Sequence, residues 1–270
     1  MSAKILDART PAQKIKNELR RAVSGMNVQP SLAIIHSGGD PAGDVYVRGK
    51  VKDAAEIGIR CDVISPLDTG GIVQAVINAT VGYHGVIIQQ PAPYRERWER
   101  LLAPSQDVDG LTPYNMGFLA KGDVPVHMPC TPAGIMELLK YYNIEVEGKH
   151  VCIVGRSQIV GRPLASLMLN ANATVSLCHS KTKNLSDLTK ISDIAVVAVG
   201  KAKFLTADMI KPGAILIDVG INRDEKGKLC GDVDFEGCKE KAAAISPVPN
   251  GVGLMTRAIL MRNVVNAARY

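Results

Sequence analysis

Short apolar segments alternate with helical stretches along the chain, and this alternation constrains the fold more than any other feature of the sequence. Strands that are apolar on both faces and alternate with helices are typical of a parallel sheet covered on both sides. The pattern therefore predicts an α/β fold. The predicted strands are SLAIIH (31–36), RCDVIS (60–65), GVIIQQ (85–90), HVCIVG (150–155), ATVSLCH (173–179), IAVVAVG (194–200) and AILIDVG (214–220).

The strand candidates fall into two series, separated by the segment from Ala120 to Gly148. Two series of this kind predict two α/β domains, with helices in the first series at 44–58 and about 71–80. The last stretch, LMTRAILMRNVVNAARY, has apolar residues at helical spacing. Sequence alone leaves open which of the two domains this final helix packs against.

Capping residues predict two helix starts. The stretch from Thr10 to Ala22 is typical of a capped amphipathic helix with Pro11 in its first turn. Thr131 is expected to cap a second helix that begins at Pro132.

Composition excludes some function classes. The chain of 270 residues is 46% hydrophobic and 21% charged, which is typical of a soluble globular protein and not of a disordered chain. A net charge of +6 suits an anionic partner without identifying it. The chain has only one Trp, three Phe and seven Tyr, which are few aromatic rings for stacking the bases of single-stranded nucleic acid. The sequence contains no uninterrupted run of 18 or more apolar residues, so no membrane span is predicted.

The N-terminus lacks the apolar core of a signal peptide, and the six cysteines include no C-x-x-C pair. We therefore expect reduced thiols and a cytoplasmic protein. The five histidines are scattered, so no metal site is predicted.

The strongest local signal is the segment HVCIVGRSQIVGRPLASLMLN, in which a strand ends at Gly155 and a helix begins at Gly161. Glycines in a strand–turn–helix let a dinucleotide pyrophosphate approach the backbone and the helix N-terminus. The spacing differs from G-x-G-x-x-G, and the alternative is an ordinary βα turn in a flavodoxin-like domain.

The end of the next strand indicates which dinucleotide is bound. An NAD site usually has an acidic residue there, whereas this chain has CHSKT (178–182). The hydroxyl of Ser180, the cation of Lys181 and the guanidinium of Arg156 suit a 2′-phosphate, so NADP is predicted in preference to NAD. The alternative for Arg156 and Lys181 is a pair of solvated surface charges.

Tyr46 and Lys50 are four residues apart on a predicted helix and therefore share one face. If Lys50 is desolvated, the two could transfer a proton; otherwise they form an ordinary, partly exposed helix face. Gln89 and Gln90 end a strand at the edge where α/β sheets place ligands, although a glutamine there can also satisfy a turn.

Two further segments have open interpretations. Asp107 and Asp109 are turn residues or an anchor for a polar heterocycle. The segment SPVPNGVGLMT (246–256) is a linker or the lining of a pocket.

Taken together, these segments resemble the bifunctional methylenetetrahydrofolate dehydrogenase/methenyltetrahydrofolate cyclohydrolase family, from near residue 30 to the C-terminus. The resemblance implies a folate-binding catalytic domain of residues 1–125 plus 250–270, to which the final helix returns. It also implies a Rossmann-like NADP-binding domain of residues 126–249, and a homodimer. The segments that carry it are DPAGDVYVRGK, IIQQP, DVDGLTPYNMG, PCTPAGIMELL, VGRSQIVGRPLA, CHSKT, DVGIN and SPVPNGVGLMT.

The resemblance also implies roles on the folate side. Lys50 matches the catalytic lysine, Tyr46 the tyrosine that stacks on the folate, and Gln89 the glutamine that hydrogen-bonds the lysine and tunes its pKa. Asp109 matches the aspartate that binds the pterin. The residues expected to border the folate pocket are Pro249, Gly251 and Gly253.

On the cofactor side, the resemblance assigns Ser180 to the 2′-phosphate and the backbone of Ile221 to the nicotinamide end. The residues matched to the cofactor loop are Gly155, Arg156, Ser157 and Gly161. The chain departs from the family pattern at Gly43, Gln90, Gln106, Asn250 and Leu254. We expect Gln106, which replaces a lysine, to remove a charge near the site, and the departures together to affect substrate affinity and the balance of the two activities.

The implied function is NADP-dependent oxidation of 5,10-methylenetetrahydrofolate to the 5,10-methenyl form and hydrolysis of that product to 10-formyltetrahydrofolate. The alternatives are a family member that has lost one step, a Rossmann dehydrogenase acting on a non-folate substrate, and a basic nucleic-acid-binding protein. We expect tetrahydrofolate derivatives as partners, and neither nucleic acid nor membrane.

Overall fold

The structure is a computed structural model that describes residues 2–38, 41–66, 68–92 and 95–269. Its contacts divide the chain into two compact units. Unit one comprises Met1–Ala12 and Thr131–Thr256, and unit two comprises Gln13–Cys130 and Arg257–Tyr270. Each unit has its own parallel sheet, which confirms the predicted α/β class with two domains.

Unit two contains a three-stranded parallel sheet in the order β3-β2-β4, with β2 Ser31–Ile35, β3 Arg60–Ile64 and β4 Gly85–Ile88. Strands β2 and β4 are buried throughout, whereas β3 is partly exposed and so does not match the prediction of two apolar faces. The helices are α1 Arg9–Ser24, whose first turn groups with unit one, α2 Pro41–Ile57, α3 Thr69–Gly82, α4 Arg95–Glu99 and α5 Pro113–Lys121.

Unit one contains a six-stranded sheet in the order β1-β11-β8-β7-β5-β6, in which every neighbouring pair is parallel. The strands of this sheet are β1 Lys4–Ile5, β5 His150–Val154, β6 Thr174–Cys178, β7 Ile194–Val197, β8 Ile215–Asp218 and β11 Ala244–Ile245. A separate antiparallel hairpin is formed by β9 Asn222–Arg223 and β10 Leu229–Cys230. The helices are α6 Cys130–Tyr141, α7 Gly161–Asn170, α8 Leu185–Ile191 and α9 Phe235–Cys238.

The C-terminal helix, α10 Val252–Ala267, returns to unit two, as predicted. Asn263, in its second half, donates from Nδ2 to the backbone oxygens of Val108 at 2.9 Å and Met128 at 3.0 Å. Because the Asn263 amide and Val108 are buried, these bonds fix the helix to the loops of that unit.

Two expectations differ from the structure. Lys4 and Ile5 pair with β11, so the N-terminal residues join the sheet of unit one, although the predicted boundary grouped them with the first domain. The prediction that Thr131 caps a helix was wrong, because α6 begins at Cys130. Inside the helix, the Thr131 hydroxyl instead accepts a hydrogen bond from Thr256 at 3.0 Å.

The thiols of the chain are all free, and four of the six are buried. In the part of the chain that the structure describes, no helix is both long enough and apolar enough to cross a membrane.

Candidate active site

Helix α2 and strand β4 bring a buried lysine and a glutamine into contact in unit two. Lys50 is only 8% exposed, and its Nζ donates to Oε1 of Gln89 at 2.9 Å. Gln89 directly follows β4, and its own Nε2 donates to the Gln90 backbone oxygen at 2.9 Å, which turns the amide oxygen toward the lysine. A buried amine held by one fixed acceptor is suited to move a proton at a bound ligand.

Tyr46 lies one helical turn before Lys50 on the same face of α2. Burial raises the pKa of the Tyr46 hydroxyl, and the positive charge of Arg257 partly opposes that rise. The phenol therefore stays neutral at physiological pH.

Cys130, at the start of α6, joins this group, although sequence reasoning gave it no role. Its thiol is buried and donates to the Val108 backbone oxygen at 3.2 Å. Burial raises the pKa of the Cys130 thiol well above its ordinary value, the negative charge of Asp109 raises it further, and Lys50 opposes both. Asp109 and Lys50 therefore lie close to the same thiol. The only sequence signal for Cys130 is its place in the PCTPAG segment.

Asp107 organises the loop that carries Asp109. Its carboxylate is buried and accepts hydrogen bonds from the Thr112 backbone at 2.7 Å and the Asn115 side chain at 2.8 Å. Burial raises the pKa of Asp107, and these hydrogen bonds oppose the rise. Of the two interpretations of this acid, the turn residue is the one that its contacts support.

Gln106, which replaces a lysine of the family pattern, bonds to the end of a helix. Its Nε2 donates to the backbone oxygens of Thr80 at 2.8 Å and Tyr83 at 3.1 Å, at the C-terminal end of α3. A side-chain donor there satisfies carbonyl groups that have no partner inside the helix. The replacement of lysine by glutamine therefore acts at the end of α3.

The glycine loop of unit one is sterically fixed. Gly155 has φ +121°, and a Cβ there would lie 2.2 Å from the Ala198 backbone oxygen. A Cβ on Gly161 would lie 1.9 Å from the Gly155 backbone oxygen. Both positions need glycine because the backbone of the loop packs directly against other backbone atoms.

Polar groups surround the start of α7. Val160, the residue before the helix, offers no capping side chain to the first N–H groups of the helix. Arg156 and Ser157 are exposed in the loop just before it, and the Ser157 hydroxyl accepts from the Val160 N–H at 3.1 Å. The Arg162 N–H donates to the Ser157 backbone oxygen at 3.0 Å and Pro163 has no N–H, so Ser157 holds the loop against the first turn of α7.

Ser180 and Lys181 are exposed directly after β6, the neighbour of β5 in the sheet. The turn that carries them is closed by two bonds between His179 and Thr182, at 2.8 Å and 2.9 Å. Because parallel strands end at the same sheet edge, these residues and the glycine loop share one edge of unit one.

We expect Gly161→Ala to lower the free energy of unfolding by about 1–3 kcal/mol, since the added methyl group would overlap the Gly155 carbonyl. The control is Gly117→Ala in α5, where a Cβ meets nothing within 4 Å. There alanine should raise stability by about 0.5–1 kcal/mol. Urea unfolding of both variants measures the difference, and equal effects at the two positions would contradict the steric account.

Asp218 ends β8 and is only 2% exposed. Its carboxylate accepts from the N–H groups of Gly220 at 3.2 Å, Asp232 at 2.8 Å and Val233 at 2.9 Å. Burial raises the pKa of Asp218 to about 7, against the opposing effect of these bonds. Ile221, three residues later, is 46% exposed at the same sheet edge.

This raised pKa predicts a pH-dependent stability. The folded protein keeps the Asp218 proton up to about pH 7, whereas the unfolded chain releases it near pH 3.8. The contribution of this proton to the free energy of unfolding is therefore fully present below pH 3.8 and is lost as the pH rises through about 7. Asp218→Asn removes this dependence. We therefore expect the melting temperature of the variant minus that of wild type to increase from pH 4 to pH 7. A constant difference across that range would refute the assignment.

The residues expected to border the folate pocket lie in unit one, before and at the start of α10. Pro249 follows a cis peptide bond, and a Cβ on Gly251 would lie 2.2 Å from the Pro247 backbone oxygen. Asn250, which replaces a glycine of the family pattern, has φ +75°, a conformation that asparagine adopts more readily than most residues. At Leu254 the backbone N–H donates to the Gly251 oxygen at 3.1 Å, a bond that proline could not make.

Comparison with known proteins accounts for both units. Residues 6–109 match the catalytic domain of the tetrahydrofolate dehydrogenase/cyclohydrolase family, and residues 129–270 match its NAD(P)-binding domain. The chain belongs to this family. Its sequence is 46% identical to the bifunctional protein FolD of Bacillus subtilis, over 100% of this chain and 99% of that protein.

Solved structures of the family share this fold. The bifunctional FolD enzyme of Campylobacter jejuni superposes with a TM-score of 0.94 at 41% identity, over 99% of both chains. The methylenetetrahydrofolate dehydrogenase-cyclohydrolase of Trypanosoma brucei, solved with NADP and an inhibitor, has a TM-score of 0.94 at 33% identity and covers 100% of this chain and 98% of its own. The resemblance drawn from the sequence motifs is therefore confirmed.

Proposed function

We propose that this protein oxidises 5,10-methylenetetrahydrofolate with NADP and hydrolyses the methenyl product to 10-formyltetrahydrofolate. Family membership across both units supports the two activities. The observation that carries the proposal is the buried contact between Lys50 and Gln89, which places an amine beside a fixed amide oxygen.

For the dehydrogenase step, we propose that NADP binds at the edge of unit one where the glycine loop lies. NADP supplies the hydride acceptor. The loop from Gly155 to Gly161, whose two glycines are fixed by close backbone contacts, is the proposed binding site of the pyrophosphate. The side chains of Ser180 and Arg156, both exposed, suit the 2′-phosphate, and Lys181 adds positive charge. The protein's contribution is to hold and orient the reacting carbon, which lowers the entropic cost of hydride transfer.

For the hydrolysis step, Lys50 is the proposed general base. The oxygen of water forms a bond with the methenyl carbon while the Lys50 amine takes a proton from that water. The bond between this carbon and N5 then breaks: N5 receives the proton held by Lys50, the hydroxyl group of the adduct releases its own proton to water as the carbonyl forms, and the formyl group stays on N10. Gln89 holds the amine in place through its fixed amide oxygen.

Further roles are proposed for folate binding. Tyr46 provides the neutral ring on which the folate stacks, and Asp109 accepts hydrogen bonds from the pterin. The segment with Pro249, Gly251 and Gly253 borders the substrate. The NADP-binding part of this proposal lies in unit one, and the lysine, glutamine and tyrosine of the folate side lie in unit two.

The proposed activity is tested by the initial rate of dinucleotide reduction with methylenetetrahydrofolate, measured as NADPH with NADP and as NADH with NAD. We expect faster reduction of NADP than of NAD. A non-folate hydroxy acid such as shikimate serves as the control substrate, because the alternative of a Rossmann dehydrogenase with another substrate predicts turnover there. NADPH formation with shikimate and none with the folate would overturn the proposal.

We further propose a cytoplasmic homodimer. The six free cysteines agree with a reducing compartment. Light scattering during size-exclusion chromatography tests the dimer, and a mass of one chain of 28.8 kDa at micromolar concentration would contradict it.

A further inference from the structure

The order of the strands predicts where the two ends of a bound dinucleotide lie. Within the sheet, β6 neighbours β5, β5 neighbours β7, and β7 neighbours β8, all parallel. If the 2′-phosphate lies after β6 and the pyrophosphate after β5, the other half of the molecule lies beyond the ends of β7 and β8. This placement rests on the proposed function.

A buried carboxylate holds together the loops that follow β7 and β8. Asp232 is 0% exposed, and its Oδ2 accepts from the N–H groups of Val199 at 2.6 Å and Gly200 at 3.0 Å. Its Oδ1 accepts from the Lys201 N–H at 2.8 Å and from Nδ2 of Asn222 at 2.9 Å. Three of these donors follow β7, and the fourth, Asn222, is next to Ile221 and begins β9, just after β8.

Two glycines pack directly against the buried carboxylates. A Cβ on Gly220 would lie 2.1 Å from the Asp232 carboxylate, and one on Gly231 would lie 1.8 Å from that of Asp218. Asp218 in turn accepts from the Asp232 N–H at 2.8 Å. The two acids are therefore connected, and Asp218 fixes the backbone from which Asp232 reaches the loops.

We propose that Asp232 is a positioning residue for the nicotinamide half of NADP. By accepting four hydrogen bonds it fixes the segments Val199–Lys201 and Gly220–Asn222 relative to each other. It thereby sets the place of the Ile221 backbone, which the nicotinamide end would contact. Asp232 acts only through these loops, so it does not affect binding of the adenosine half of NADP beyond β5 and β6.

The test compares Asp232→Asn and Asn222→Ala with Asp208→Asn as the control. An asparagine at 232 turns one acceptor into a donor facing N–H groups, and Asn222→Ala removes only one of the four bonds. We expect kcat/KM for NADP to fall about tenfold to hundredfold in the first variant and less in the second. Asp208 is an exposed acid bonded to Thr206, and its replacement should change nothing.

Two further measurements separate positioning from general damage. Hydrolysis of added methenyltetrahydrofolate needs no NADP, so Asp232→Asn should keep that rate within about twofold of wild type. Binding of 2′,5′-ADP, which contains only the adenosine half, should also stay within twofold, while NADP affinity falls. Equal losses for 2′,5′-ADP and NADP, parallel losses of both activities, or unchanged NADP kinetics in folded Asp232→Asn and Asn222→Ala would each overturn the proposal.

The binding comparison also keeps this inference distinct from the proposed function. If wild type does not oxidise methylenetetrahydrofolate, the proposed function fails. The selective loss of NADP affinity over 2′,5′-ADP affinity in Asp232→Asn would still support the positioning role, and its absence would still refute it.

Discussion

Replacing Lys50 with methionine is expected to slow the hydrolysis of methenyltetrahydrofolate by about 10²–10⁴-fold, the usual contribution of a general base. Methionine has similar length and fills the same buried space, so the loss reports the missing amine and not a cavity. NADP binds to the other unit in this account. Its affinity in the variant should therefore equal that of wild type.

The matched control is Lys52→Met, which removes an exposed amine from the same helix. It should leave the hydrolysis rate within about twofold of wild type. Hydrolysis by Lys50→Met at the wild-type rate, in a protein with an unchanged melting temperature, would eliminate Lys50 as the base.

The second large effect is expected at Ser180. Changing it to aspartate puts a carboxylate where the 2′-phosphate is proposed to bind, so a hydrogen bond is lost and repulsion is added. Hydrogen bonds to charged groups contribute about 1.5–3 kcal/mol, so kcat/KM for NADP should fall by roughly 10–100-fold or more. NAD has only a hydroxyl at this position, which a carboxylate can accept from, so its kcat/KM should stay constant or rise.

Ser186→Asp adds the same charge in the first turn of α8 and controls for its long-range effect. The ratio of NADP to NAD kcat/KM should be unchanged in that variant. If Ser180→Asp lowers the kinetics of both dinucleotides equally, Ser180 has no role at the 2′-phosphate.

The central strands were predictable from sequence because burial on both faces leaves a continuous apolar run. The segment 31–36 became β2 Ser31–Ile35, and 150–155 became β5 His150–Val154. The two-residue strands β1 and β11 carry no such pattern, since they are formed by pairing between residues about 240 positions apart. The cap assigned to Thr131 failed because tertiary contacts with the C-terminal helix extend α6 by two residues beyond the expected start.

The candidate site was predictable only in part. The helical spacing of Tyr46 and Lys50 placed them on one face, and the strand end placed Gln89 at a ligand-binding edge. Their contact joins residues 39 positions apart, and no local pattern encodes it. The hydrogen-bond cluster around Asp232 was not predicted at all, because its donors come from loops that only the assembled sheet brings together.

The most direct test of the two-step account is a single time course of protein, NADP and methylenetetrahydrofolate, with NADPH, methenyltetrahydrofolate and 10-formyltetrahydrofolate quantified separately. We expect NADPH to equal the sum of the two folate products, with 10-formyltetrahydrofolate accumulating faster than spontaneous hydrolysis allows. NADPH formation with the methenyl form hydrolysing only at its spontaneous rate would contradict a bifunctional enzyme. The absence of any folate-dependent NADPH would contradict the account as a whole.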